Sequence, residues 1–130
     1  MNSESIQFLT VEEVLELHDM QLKSYGGAAG IRDRSLLESA VGQPQATFGG
    51  DYVHADIFHM AAAYAFHIAE NQPFVDGNKR TALAAALVFL DWHGIEIEDP
   101  SERLYTAMIS LATKAMNKDD LRSLFSALAE

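Results

Sequence analysis

The stretch Asn71-Gln-Pro-Phe-Val-Asp-Gly-Asn-Lys-Arg-Thr81 joins two strongly apolar segments, and this junction restricts the possible folds more than any other feature. Upstream, residues 56–70 read DIFHMAAAYAFHIAE; downstream, residues 82–92 read ALAAALVFLDW. Both are rich in strong helix formers and apolar on nearly every face, the pattern of helices buried at the centre of a domain. Pro73 cannot continue the first helix, and it disfavours helical dihedrals at Gln72. The linker therefore turns back, and Gly77-Asn78 lead into the second helix. Glycine at 77 lets a ligand approach the backbone closely. The amides of Asn78, Lys79, Arg80 and Thr81 fall in the first turn, where N–H groups lack intrahelical acceptors and the helix dipole is positive. Lys79 and Arg80 add two cations there. The combination is an anion site, and phosphate is the anion it suits best.

A second reading exists for each of these residues. Asn78 is also a good N-cap, a role compatible with anion binding. Lys79 and Arg80 could be solvated residues on a helix end. Position argues against that, because helices favour acids in their first turn and two cations cost stability unless an anion compensates them.

The rest of the chain reads as helices around this centre. Thr10 is an N-cap with Glu13 in the capping-box position, opening a helix to about Lys23 that Tyr25-Gly-Gly27 stops. Asp33 caps RSLLESAVG, and Pro44 ends that helix. In residues 45–55, QATFGGDYVHA, Gly49-Gly50 between Thr47-Phe48 and Tyr52-Val53 predicts a hairpin-like flap. Asp56 caps the first central helix, and the second ends near His93-Gly94. Ile95 to Glu98 alternates like a short strand, expected to pair with Ile6 to Leu9. Pro100-Ser101 starts a further helix with Leu104, Met108, Ile109, Leu111, Ala112 and Met116 inward. Asn117 and Asp120 open a last one carrying Leu121, Leu124, Phe125 and Leu128. The expectation is an all-α bundle of about six helices in one domain, residues 1–130, with a central helix–loop–helix.

Composition narrows the setting. The chain has 130 residues, no cysteine, and a formal net charge of −10 from 9 Lys+Arg against 19 Asp+Glu. Bulk attraction to nucleic acid or to an anionic membrane is not expected. MNSESIQFLT lacks the features of a signal peptide, and no apolar run reaches the roughly 20 residues a bilayer requires. With the lack of cysteine, this fits a cytoplasmic protein.

Gln72-Pro-Phe-Val-Asp-Gly-Asn-Lys-Arg80 resembles the Fic motif, His-Pro-Phe-x-Asp/Glu-Gly-Asn-Gly/Lys-Arg, in the form found in Doc (death-on-curing) toxins. Leu17-His-Asp19, Tyr25-Gly-Gly27, Gly30-Ile-Arg-Asp33, Leu37-Glu38 and Thr81-Ala-Leu83 are Doc-like too, so the resemblance covers almost the whole chain. It implies a Fic/Doc-type bundle with a small β flap, and it assigns the flap to docking of a target polypeptide. An ordinary surface loop is the other reading of that segment. The resemblance makes Gly77, Asn78, Lys79 and Arg80 a nucleotide site, with Lys79 and Arg80 also stabilising a transferring phosphoryl group. Asp76 resembles the acid that holds Mg²⁺ on ATP; otherwise it is a turn aspartate beside glycine. The implied activity is transfer of phosphoryl from ATP to a hydroxyl of a protein target, a translation factor in the Doc branch. The implied partner is a Phd-like antitoxin that docks a helix into an apolar groove.

Gln72 stands where the motif has its catalytic His. Imidazole, with a pKa of about 6.5, suits removal of a proton from the attacking hydroxyl; an amide does not. Gln72 can orient a hydroxyl by hydrogen bonds. Three explanations compete: a replacement made to render a toxic protein expressible, a natural pseudoenzyme, or a branch that needs no such base. A non-catalytic nucleotide- or partner-binding protein is therefore the alternative to an impaired toxin. AMP transfer ranks below both, because Lys79 and Leu83 stand where AMP-transferring Fic proteins have Gly and a second Arg. His67, five residues before Gln72, and His59 are conceivable substitute bases, although each is more often a satisfied histidine. His54 and His59 are expected to lie too far apart, without carboxylate company, for a zinc site. His18 and His93, near helix ends, attract no role. Ser126 to Glu130 only approaches the inhibitory Ser/Thr-x-x-x-Glu-Gly/Asn motif of Fic proteins, which leaves inhibition to an external antitoxin.

Overall fold

A computed structural model describes residues 6–129. It has six helices: α1 (Val11–Tyr25), α2 (Arg34–Gly42), α3 (Ile57–Asn71), α4 (Asn78–Trp92), α5 (Arg103–Ala112) and α6 (Lys118–Leu128). A 3₁₀ turn, Gln43–Gln45, leads from α2 into a hairpin of β1 (Thr47–Phe48) and β2 (Asp51–Tyr52), so the fold is an all-α bundle with a small β flap. Thr47 pairs with Tyr52 and Phe48 with Asp51. Gly49 and Gly50, at φ 63° and 90°, supply the two left-handed residues that this tight turn requires.

Side chains close most of the helix starts. Thr10, Asp33, Asp56 and Asn117 each accept a first-turn amide, and the Thr10–Glu13 and Asn117–Asp120 pairs are full capping boxes. Asp99 does the same for α5, its two oxygens taking the Arg103 and Leu104 amides. The start of α4 has no side-chain cap.

The core is a single cluster centred on α3 and α4. Met60 to Ala65 are all buried, as are Ala82, Ala85, Ala86, Phe89 and Leu90. Facing alanines allow two helices to approach closely, because interaxial distance follows side-chain size at the contact. The amphipathic helices α1, α2, α5 and α6 then cover the pair through Val14, Leu37, Met108 and Phe125. No helix among the described residues is long and apolar enough to cross a membrane.

Two expectations fail. Ile97 bridges Ala129, and the Glu98 amide donates to Leu128 O, so this segment meets the end of α6 rather than residues 6–9. The N-terminal segment is held by other groups: Tyr64 Oη accepts from the Leu9 amide, and His93 Nε2 accepts from that of Gln7. On α5, Ile109 is exposed and Ala112 lies beyond the inner face, while Ala107 is buried in their stead. Glu130, the last residue of the near-match to the inhibitory motif, lies outside the described residues.

Candidate functional site

The loop between α3 and α4 begins under strain. Gln72 takes left-handed dihedrals, φ 46° and ψ 58°, which cost a non-glycine residue roughly 1–3 kcal/mol unless its surroundings impose them. Arg32 imposes them. Its Nε donates to Gln72 O at 2.7 Å and its terminal NH₂ to Asn71 O at 2.8 Å, placing a cation on the carbonyl end of α3. Pro73 O accepts the amides of Arg32 and Asp33, and Gly30 O accepts that of Val75. Residues 30–33 therefore lie along the motif loop like a short antiparallel partner, with Ile31 bridging Phe74.

Phe74 fixes the loop to the core. It is 1 % exposed, and its ring stacks on that of His18 at 3.7 Å and 7°. His18 also donates from Nε2 to Asp76 O at 2.8 Å. Asn78 clamps Phe74 from the other side: Oδ1 accepts the Phe74 amide and Nδ2 donates to Phe74 O. Asn78 is thus the first residue of α4 rather than its N-cap, which is Gly77, and its carboxamide shapes the loop. What it offers an anion is its backbone N–H.

Asp76 is held at both carboxylate oxygens. Oδ2 accepts from the Ala28 amide at 3.2 Å and Oδ1 from the Gly77 amide at 2.9 Å. The Gly77 amide is therefore engaged within the loop. A methyl group on Gly27 would lie 2.9 Å from Asp76 Oδ2, so glycine is needed for this docking, and its φ of +120° requires glycine as well.

The start of α4 remains open. Among the described residues, the Asn78, Lys79 and Arg80 amides have no acceptor, no acid occupies the first turn, and neither Lys79 nor Arg80 forms an ion pair. The starts of α1 and α6 do the reverse, with Glu12 and Glu13 in the first turn of α1 and Asp119 and Asp120 in that of α6. These open donors face a cleft of about 470 Å³ lined by Gln72, Asp76, Gly77, Asn78, Lys79 and Arg80, together with Tyr25 and Tyr105. Unpaired N–H groups beside two cations at the wall of a concave pocket are features that suit an oxyanion. Gln72, Asp76, Gly77, Asn78, Lys79 and Arg80 thus line one cavity, while Pro73 and Phe74 do not.

The histidines lie elsewhere. Lys118 Nζ, on the first residue of α6, donates to His54 Nε2 at 2.9 Å and to His67 Nε2 at 3.1 Å. His67 is therefore turned away from Gln72 and does not line the cleft. The rings of His54 and His59 are 5.3 Å apart, and His59 Nε2 lies 2.9 Å from Asp119 Oδ1. The expected separation of His54 and His59, and their lack of a carboxylate, are both wrong: the segment after the flap turns the His54 ring onto α3, and α6 brings the acid. Among the described residues no group of three or more His, Cys, Asp or Glu is placed to hold a metal ion.

This cluster predicts acid sensitivity. Burial first, then the Lys118 ammonium and neighbouring imidazoles, push His54 and His67 each down to about 4. Because these folded values lie below the unfolded one of about 6.5, the unfolded chain binds more protons in between. Stability is then full above pH 6.5 and falls as pH drops towards 4. NMR titration of the two rings is the check. Both should remain neutral at pH 5.5, and midpoints near the unperturbed value would contradict the assignment.

Several groups that build the site carry no local sequence signal. His18, Arg32 and Tyr105 are far along the chain from the residues they position. Only the glycines at 26, 27 and 30 hinted that the loop after α1 approaches something closely.

Comparison with known proteins shows the family. Residues 8–90 match the model of the Fic/DOC family. "Protein kinase doc" of Escherichia phage P1 is 33% identical over 124 residues, covering 92% of this chain and 97% of that protein. "Toxin Doc" of Mycolicibacterium smegmatis (strain ATCC 700084 / mc(2)155) is 34% identical over 125 residues, covering 95% of this chain and 94% of that protein.

Proposed function

Because the chain belongs to the Fic/DOC family, we propose that it is a Doc-like toxin of a toxin–antitoxin module, built to transfer phosphoryl from ATP to a hydroxyl of a protein target and impaired in that step by Gln72. The observation that carries the reading is the α4 start: it has no side-chain cap, it holds Lys79 and Arg80 without carboxylate partners among the described residues, and it opens into the cleft. A polyphosphate would satisfy all of these groups together.

The residues present fit ATP with Mg²⁺. The open amides of Asn78, Lys79 and Arg80 and both cations suit phosphate oxygens. Asp76 presents a carboxylate whose orientation the Ala28 and Gly77 amides fix, and one such ligand suffices for Mg²⁺, which keeps water and phosphate oxygens in its shell. When bound, ATP–Mg²⁺ supplies the phosphoryl group and part of the charge neutralisation. The chain's own contribution is to position the phosphates and stabilise charge on them. Gln72 lies beside the cleft and can orient an incoming hydroxyl, but it cannot accept its proton at neutral pH.

Gln72 specifically favours a second reading, a Fic-fold protein that binds nucleotide or a partner without turnover. AMP transfer is less favoured, given Lys79 and Leu83 and a relative named as a protein kinase. A groove of about 590 Å³ adjoins the cleft and is lined by Leu83, Leu87, Ile97 and Leu104, a surface suited to the apolar face of an antitoxin helix of Phd-like type. Labelled ATP separates the chemistries. Label reaching protein in a bacterial extract from the γ-phosphate supports phosphoryl transfer, whereas label from the α-phosphate would assign AMP transfer. A translation factor is the expected acceptor.

A further inference from the structure

Arg80 differs from Lys79 in a way the motif does not reveal. Lys79 is exposed and touches only the cleft. Arg80 is half-buried where the cleft meets the neighbouring groove, and its guanidinium carbon lies 3.8 Å from the ring centre of Tyr25 and 4.6 Å from that of Tyr105. The rings come from different elements, the last residue of α1 and the first turn of α5. Both tyrosines line both cavities. Aromatic faces attract a guanidinium without neutralising it and without occupying its in-plane N–H groups. A carboxylate would do the opposite on both counts.

We propose that Tyr25 and Tyr105 are positioning residues that hold the Arg80 fork ready, N–H edges free, for two oxygens of a polyphosphate. The inference rests on the nucleotide-site reading and deepens it: α1 and α5 take part in phosphate recognition through residues outside the motif. It also separates the two cations. Arg80→Lys loses the planar group that the rings orient and cannot grip two oxygens at once, whereas Lys79 acts as a point charge.

The test is a double-mutant cycle on inorganic tripolyphosphate and ATP–Mg²⁺ binding, read by calorimetry with the full chain. Tyr25 is 62 % exposed, so Tyr25→Leu leaves little cavity and the variant should fold. It should weaken binding roughly fivefold, and with Tyr105→Leu roughly tenfold or more. Tyr25→Phe, which keeps the ring, should recover most of the loss. In an Arg80→Met background, Tyr25→Leu should have no further effect, because the tyrosine acts only through Arg80. A helix-packing role would lower the melting temperature without changing affinity, or would give equal losses in both backgrounds; either result overturns the inference. If the unsubstituted chain binds neither probe, the nucleotide-site reading itself fails. If it binds both but shows no Tyr25–Arg80 coupling, this inference alone fails.

Discussion

Gln72→His is expected to raise transfer of label from [γ-³²P]ATP to protein by roughly 10²–10⁴-fold, the usual worth of a placed general base. At about 1.4 kcal/mol per tenfold, the gain corresponds to roughly 3–5 kcal/mol of barrier. The backbone favours the exchange. Position 72 is left-handed, and histidine is among the few non-glycine residues enriched there. Arg32 holds the carbonyls of residues 71 and 72 whatever side chain position 72 carries, so the imidazole should enter the cleft without refolding the loop. Growth arrest on expression should rise in parallel. Equal activity in both forms would make the base dispensable, and silence in both would favour a binding protein.

Phe74→Ala should be the most damaging single substitution at the site. Removing a fully buried phenylalanine typically costs about 3–5 kcal/mol, through lost transfer energy and the cavity left behind. Here the ring also stacks on His18, whose Nε2 holds Asp76 O, so loss of the plug frees the loop that presents the α4 amides. Urea unfolding should show a large fall in midpoint at unchanged slope. A change below about 1 kcal/mol, the range of tolerated volume-conserving swaps, would mean that the ring is not the loop's anchor.

Sequence reading and structure agree best where the signal is local. The caps Thr10, Asp33, Asp56 and Asn117, the Gly49-Gly50 turn and the two alanine-rich helices each depend on neighbours within a few positions, and each is found as expected, whereas α5 begins at Arg103 rather than at Pro100-Ser101. The open start of α4 is legible for the same reason, since its amides and cations are consecutive. Pairing across long separations is not. Ile97 meets Ala129 rather than residues 6–9 because α6 returns its end to that side, which a four-residue alternation cannot encode. His54, His59 and His67 converge on Lys118 and Asp119 only once α6 and the segment after the flap have packed on α3. Arg32, His18 and Tyr25 were legible only as parts of Doc-like segments, and Tyr105 not at all, because each acts on the site from another element. Asn78 was legible as a site residue, but not that its side chain would grip Phe74.

The central claim is that the open start of α4 grips a polyphosphate. Calorimetric titration with ATP–Mg²⁺ tests it most directly, comparing the chain with its Lys79→Ala, Arg80→Ala double variant. Two charge-assisted contacts of about 1.5–3 kcal/mol each predict clear binding by the chain and a loss of roughly 100-fold or more in the variant. An affinity unchanged within about threefold, at equal melting temperature, would contradict the account.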